Sequence, residues 1–166
     1  MRFVLRASCH ITTSKVILSS SRHLQFPHPS AQTRGQGFAK HDGTIVLWTI
    51  IEDGCLDVRV WEGEYVGTPR SAFHRAHVFP FVVEDDKVEV SSCDDAEAQI
   101  EFAMVSGNYR LLVGQRNKTR HDDLEQSDVD LVFQRVESLP TASEILVADI
   151  DLAPQYPLEE WSGPNA

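Results

Sequence analysis

The sequence predicts an all-β fold, an antiparallel β-sandwich of about eight or nine short strands in the class that includes jelly rolls. Three observations carry that expectation. Apolar and polar residues alternate at period two through much of the chain. Turn-forming residues break the alternation roughly every 8–12 residues, the spacing of sandwiches and barrels. No stretch shows the apolar stripe of a long amphipathic helix.

The elements come in order along the chain. Phe3, Leu5, Ala7, Cys9 and Ile11 alternate with Val4, Arg6, Ser8, His10 and Thr12, which predicts a first strand; Val16-Ile17-Leu18 continues it or pairs with it. Residues 19–36 are rich in Ser, Gln and Gly and contain Pro27 and Pro29, which cannot donate to a ladder, so they read as a loop. Gly43–Ile51 is almost continuously apolar and β-branched, the pattern of a central strand covered on both faces. Glu52-Asp53-Gly54 predicts a tight hairpin turn with Gly54 at positive φ, returning along the alternating strand Leu56–Trp61.

A loop over 62–76 leads to a strand over 77–83, whose Pro80 requires an edge or a bulge. Glu84-Asp85-Asp86 turns the chain into Lys87–Ser91. Ala98–Met104 forms a further strand, and Ser106-Gly107-Asn108 turns into Tyr109–Val113. Residues 115–128 are charged and aperiodic. Alternation resumes over 129–137, Pro140 ends it, and 143–150 fits a last strand or a short helix. Ile45, Leu47, Val58, Phe81, Val90, Phe102, Tyr109 and Leu111 are the expected core.

A length of 166 residues suits one domain, placed at 1–150, with 151–166 as an extended or frayed acidic tail. The formal net charge of −10 argues against direct nucleic-acid binding and favours a basic partner. The charge is uneven: residues 1–83 hold nine Lys and Arg against six Asp and Glu, and residues 84–166 hold six against nineteen. Cys9, Cys55 and Cys93 are odd in number, far apart and without a CxxC. They read as thiols in a reducing compartment, not as a disulfide framework or zinc site. Arg6 ends the first apolar run too early for a secretory segment, and no run is long enough to span a membrane. The expectation is a soluble, cytoplasmic protein.

Catalytic motifs are not evident. His74 and His77 have i, i+3 spacing but bridge a loop and a strand, so they read as surface histidines and no metal ligand set is assigned. Gly35-Gln36-Gly37 lacks the third glycine of a dinucleotide fingerprint and precedes no clear helix, so it reads as a flexible turn. No cofactor and no catalytic residue is assigned. A hydrolase built on paired carboxylates is one alternative, since an acidic chain offers many candidates. A binding module for another protein or a small ligand is a second.

Several pieces in order carry a resemblance: Gly37-Phe38-Ala39, Asp42-Gly43-Thr44-Ile45, Pro80-Phe81-x-Val83, Val88-x-Val90-x-Ser92, Phe102, and Gly107-x-Tyr109-x-Leu111. Together, over about residues 8–113, they resemble the competence protein J family of nuclease inhibitors. The resemblance implies a small β-rich cytosolic protein, without catalysis of its own, that binds and blocks a nuclease. It supplies no residue-level inhibitory motif. The acidic balance of the second half, joined to the resemblance, makes Asp85, Asp86, Asp94, Asp95, Asp122 and Asp123 the expected partner-binding residues, facing a nuclease with a basic surface.

Overall fold

The computed structural model describes residues 1–20, 30–41, 43–92, 100–121 and 124–159. Eleven strands form two open sheets: β1 (Arg2–Ile11), β2 (Lys15–Ser19), β3 (Phe38–His41), β4 (Thr44–Trp48), β5 (Gly54–Glu62), β6 (Arg75–Val83), β7 (Lys87–Ser92), β8 (Ile100–Ala103), β9 (Gly107–His121), β10 (Leu124–Arg135) and β11 (Glu144–Val147). The large sheet has the order β1-β5-β10-β9-β6-β11, and the small sheet the order β3-β4-β2-β7-β8. Among the described residues no helix is long and apolar enough to cross a membrane.

The core lies between the sheets, and period two decides which residues enter it. All eight residues expected there are buried. Phe133 of β10 is its hub: the rings of Phe81, Phe102 and Tyr109 each stand edge-on to it, with centroids 5.8 Å away. Phe102 comes from the small sheet and the other three from the large one, so these contacts join the layers. A smaller cluster of Phe73, Ala76, Val78, Leu112 and Val132 lies on the outer face of the large sheet, with Trp61 and Tyr65 packed against it.

The all-β, two-sheet fold is as expected, and several of its details are corrected. The fold is not wholly antiparallel, because β10 runs parallel to β5. The turn at Asp53-Gly54 is not a hairpin: β4 lies in the small sheet, where β2 and β3 occupy both its edges, so the chain crosses to the large sheet as β5. Gly54 does have positive φ, at 147°, and glycine is required there, since a Cβ would lie 2.0 Å from the Glu125 carbonyl oxygen.

The charged stretch 115–128 is not aperiodic in structure. It is the outer half of a long β9–β10 hairpin. Burial alternates over residues 124–129, and polar residues, Gln115 and Ser127, fill inward positions. Buried Gln115 accepts from the Ile50 N–H at 3.0 Å and donates to the Trp48 carbonyl at 3.1 Å, and buried Ser127 donates to the Arg116 carbonyl at 3.0 Å.

Finally, the loops expected at 19–36 and 62–76 contain short helices, α1 (Ala31–Gln36) and α2 (Pro69–Ala72), and β3 comes directly after α1. Ser30 and Thr33 cap α1 reciprocally, and Gly37 ends it in the left-handed region, so Gly35-Gln36-Gly37 is a helix terminus, not a flexible turn. Pro80 is tolerated because β11 pairs only with Ala76–Val78, leaving β6 as the local edge beyond. Of the two forms open for 143–150, the chain adopts the strand.

Candidate functional site

The first candidate is the acidic end of the sandwich, where β6 turns into β7. Glu84, Asp85 and Asp86 are all exposed there. Asp86 takes a left-handed backbone with φ of 54°, which Asp tolerates better than most residues. The neighbouring turn, between β8 and β9, holds it. The Ser106 hydroxyl donates to the Glu84 carbonyl at 2.7 Å and accepts from the Asp86 N–H at 3.1 Å, and the Ser106 N–H donates to the Asp86 carboxylate. The Met104 N–H donates to the Asp86 carbonyl at 3.0 Å. Contacts with the Ser106 hydroxyl and then its N–H hold the Asp86 carboxyl below the usual aspartate value. The turn therefore offers a charge fixed in place.

The surroundings suit a protein contact. Beside Asp86 a groove of about 390 Å³ is lined by Arg2, Glu62, Ala103, Met104 and Val105, with Arg2 and Glu62 ion-paired. Val105 is 56% exposed at its rim. Buried Tyr109 braces this turn from below, its phenol raised by desolvation and donating to the Val105 carbonyl at 2.6 Å. The groove thus sets the apolar Met104 and Val105 beside the charged Asp86, an apolar patch with a polar rim.

Of the six aspartates expected to bind the partner, the structure places Asp85 and Asp86 side by side in this turn. Asp94, Asp95, Asp122 and Asp123 lie outside the described residues. The strand ends that flank them, Ser92 and Ile100, His121 and Leu124, stand at the opposite end of the sandwich from Asp86. Nothing in the sequence singles out Ser106, Glu62 or Val105. Ser106 is foreseeable only as a turn residue, because its partner across the end of the sandwich is set by tertiary pairing.

A second gathering of carboxylates, on the outer face of the large sheet, is neutralised. Asp57, Asp128 and Asp130 are paired with Arg6, Arg59 and Arg116: Arg6 to Asp57 at 2.6 Å, Arg59 to Asp128 at 3.0 Å and to Asp130 at 2.9 Å, and Arg116 to Asp130 at 2.6 Å. The Trp61 indole also points to Asp130 at 3.4 Å. Carboxylates engaged by guanidinium groups make a structural lattice across β1, β5, β10 and β9 and are poorly placed to take a substrate proton.

The histidine pair divides. His74 is exposed, whereas His77 is fully buried, which corrects the surface reading. It packs between Phe38 and Phe79, with Nε2 3.0 Å from the Gln36 carbonyl oxygen. Cys9 and Cys55 are thiols, buried and half-buried, and Cys93 lies outside the described residues. Among the described residues no three His, Cys, Asp or Glu side chains converge as a metal set.

Fold and site together define the class: an open, two-sheet all-β protein presenting an acidic, hydrogen-bonded turn at one end. The chain belongs to the competence protein J (ComJ) family, whose model matches residues 9–136. It is similar in fold to the crystal structure of ComJ, inhibitor of the DNA degrading activity of NucA, from Bacillus subtilis. The TM-score is 0.60 at 15% identity, over 80% of this chain and 97% of that one. A comparison with curated protein sequences finds no match.

Proposed function

We propose that this protein is a nuclease inhibitor that acts by binding, has no catalysis of its own, and uses its acidic end as a docking face for a basic nuclease. Membership of the ComJ family over residues 9–136 carries the reading, since the structurally similar family member from Bacillus subtilis inhibits NucA. The net charge of −10 suits such a role, because a nuclease surface that receives phosphates is basic and an acidic ligand is steered to it. The partner is thus a protein, and nucleic acid enters only as what the inhibitor excludes. The thiols of Cys9 and Cys55 suit action in the cytoplasm.

The test is a titration of a NucA-type nuclease with the purified chain, monitored through cleavage of fluorescent DNA. Activity should fall linearly to an end point at equimolar inhibitor. Undiminished cleavage at molar excess would reject the reading. Hydrolysis of DNA by the chain alone would favour the carboxylate hydrolase instead.

A further inference from the structure

The family match ends at residue 136, and much of the chain beyond it is laid along one open side of the sandwich. β11 adds to the edge of β6 at Ala76–Val78, and the chain then runs on across α1 to Glu159. Its contacts there are specific. Arg75 grips Asp149 with both carboxylate oxygens engaged, at 2.7–3.0 Å, and steadies itself on the Trp48 carbonyl at 2.9 Å. The Gln36 amide reads the Glu159 backbone as a ladder partner would, donating to its carbonyl at 3.0 Å and accepting from its N–H at 2.9 Å. The Ala153 N–H donates to the Gly35 carbonyl at 2.8 Å, and Ser30 donates to the Glu159 carboxylate at 2.7 Å.

The groove is built, and its occupant is only partly buried: Ile145 and Leu158 pack against the main core and Leu146 and Val147 against the smaller cluster. Gln36 and His77 are 0% exposed and Arg75 is 3% exposed, yet none of residues 144–159 is buried. Ile150 and Tyr156 of that segment face solvent. A Cβ at Gly35 would lie 2.7 Å from the Ala153 carbonyl oxygen, so the helix terminus is cut back where the segment passes. A strand edge, an amide reading backbone, and one guanidinium for a carboxylate are the elements of extended-peptide recognition.

We propose that this groove is a binding site for an extended acidic segment of a partner protein, and that residues 144–159 are a tethered ligand which that segment displaces. The site prefers a strand that seats a carboxylate on Arg75 and, further on, presents its backbone to Gln36. It lies at the other end of β6 from the acidic turn and does not depend on nuclease inhibition. The tether over 136–143 holds the segment at a millimolar-range effective concentration, so a rival needs additional contacts or a severed tether.

The test uses the full chain with a specific protease site in the tether at 138–142, cut after folding. The probe is a fluorescent synthetic peptide of residues 143–159. The cut chain should take it up saturably, one per chain, releasing its own segment. An Asp149→Ala peptide should bind at least ~10-fold more weakly, because the Arg75 charge is left buried without a partner. Uncut chain should take up at least ~10-fold less peptide. Failure of the cut chain to exchange its segment overturns the proposal. So does equal uptake of a scrambled peptide, or loss of far-UV circular dichroism as the segment leaves, which would make 144–159 part of the core. Uptake confined to dimers would mark exchange between copies and overturn it too.

Discussion

At the scale of single residues, two buried rings make contrasting predictions. Phe102 reaches across the core to Phe133, and alternation in β8 alone places it there. Phe102→Ala should cost about 3–5 kcal/mol, read as a lower midpoint in urea; an unchanged midpoint would mean the ring is not packed. His77 shares the core's shielding but is titratable. Burial, in first place, pushes its pKa down to about 4; the Gln36 carbonyl and Asp149 favour the charged ring, and Arg75 opposes it. In the unfolded chain the ring titrates near its ordinary value of about 6.5. Between those values the unfolded state binds the proton and the native state does not. Stability is thus complete above pH ~6.5 and falls toward pH ~4, by about 3 kcal/mol from this residue. Urea melts across that window should show the loss, and His77→Leu should remove this part of the slope; equal slopes would clear His77 of the effect. The burial of His77 is not legible in the sequence, where a histidine at the start of a strand, just after the polar His74-Arg75, reads as a surface residue.

At the scale of elements, the strands legible in the sequence are those whose inward residues are apolar. β1 and β7 alternate cleanly and are legible at nearly their observed bounds, and β8 (Ile100–Ala103) lies within the strand expected over Ala98–Met104, of which residues 98 and 99 lie outside the described residues. The outer half of the β9–β10 hairpin is not, because Gln115 and Ser127 occupy inward positions and Arg116, Asp128 and Asp130 the outer face. Hydrophobicity loses its period there while geometry keeps it. α1 escapes notice because a six-residue helix is defined by its caps, Ser30 and Gly37, more than by any stripe. Gln115 ties this hairpin to the crossover between the sheets through Ile50 and Trp48. Gln115→Ala leaves a buried N–H and weakens a carbonyl contact, so it should cost about 1–3 kcal/mol. Hydrogen exchange at Ile50 should accelerate more than at Val90, which lies in the small sheet; equal acceleration would mean global destabilisation only.

At the scale of the whole molecule, the candidate site is legible as a charge pattern and not as a surface. The excess of carboxylates after residue 83 is plain in the sequence. Which of them are neutralised is not: Asp128 and Asp130 are taken up by Arg59 of β5 and Arg116 of β9, a pairing set by register. Asp85 and Asp86 stand exposed at one end. Replacing Asp85, Asp86, Asp94, Asp95, Asp122 and Asp123 with Asn or Ser should slow association with a basic nuclease and flatten its salt dependence. Dissociation should change less, since exposed charges act over about 8–10 Å and chiefly on encounter. Stopped-flow rates at two ionic strengths decide it: equal rates for both proteins at low salt would reduce the acidity to a solubility device.

The parallel pairing of β5 with β10 also reaches into the protein's biogenesis. As the chain leaves the ribosome, β5 can pair with β1, but its other edge stays open until the stretch up to Phe133 has emerged. No local hairpin can fill that place, and loop closure over so long a span is slow. The large sheet therefore closes only once β10 has emerged, with an unsatisfied edge exposed meanwhile. Nascent chains stalled with β10 still inside the exit tunnel should be digested rapidly by protease. Chains stalled with Arg135 fully outside should resist it, and equal digestion of the two would show that the sheet forms without its parallel partner.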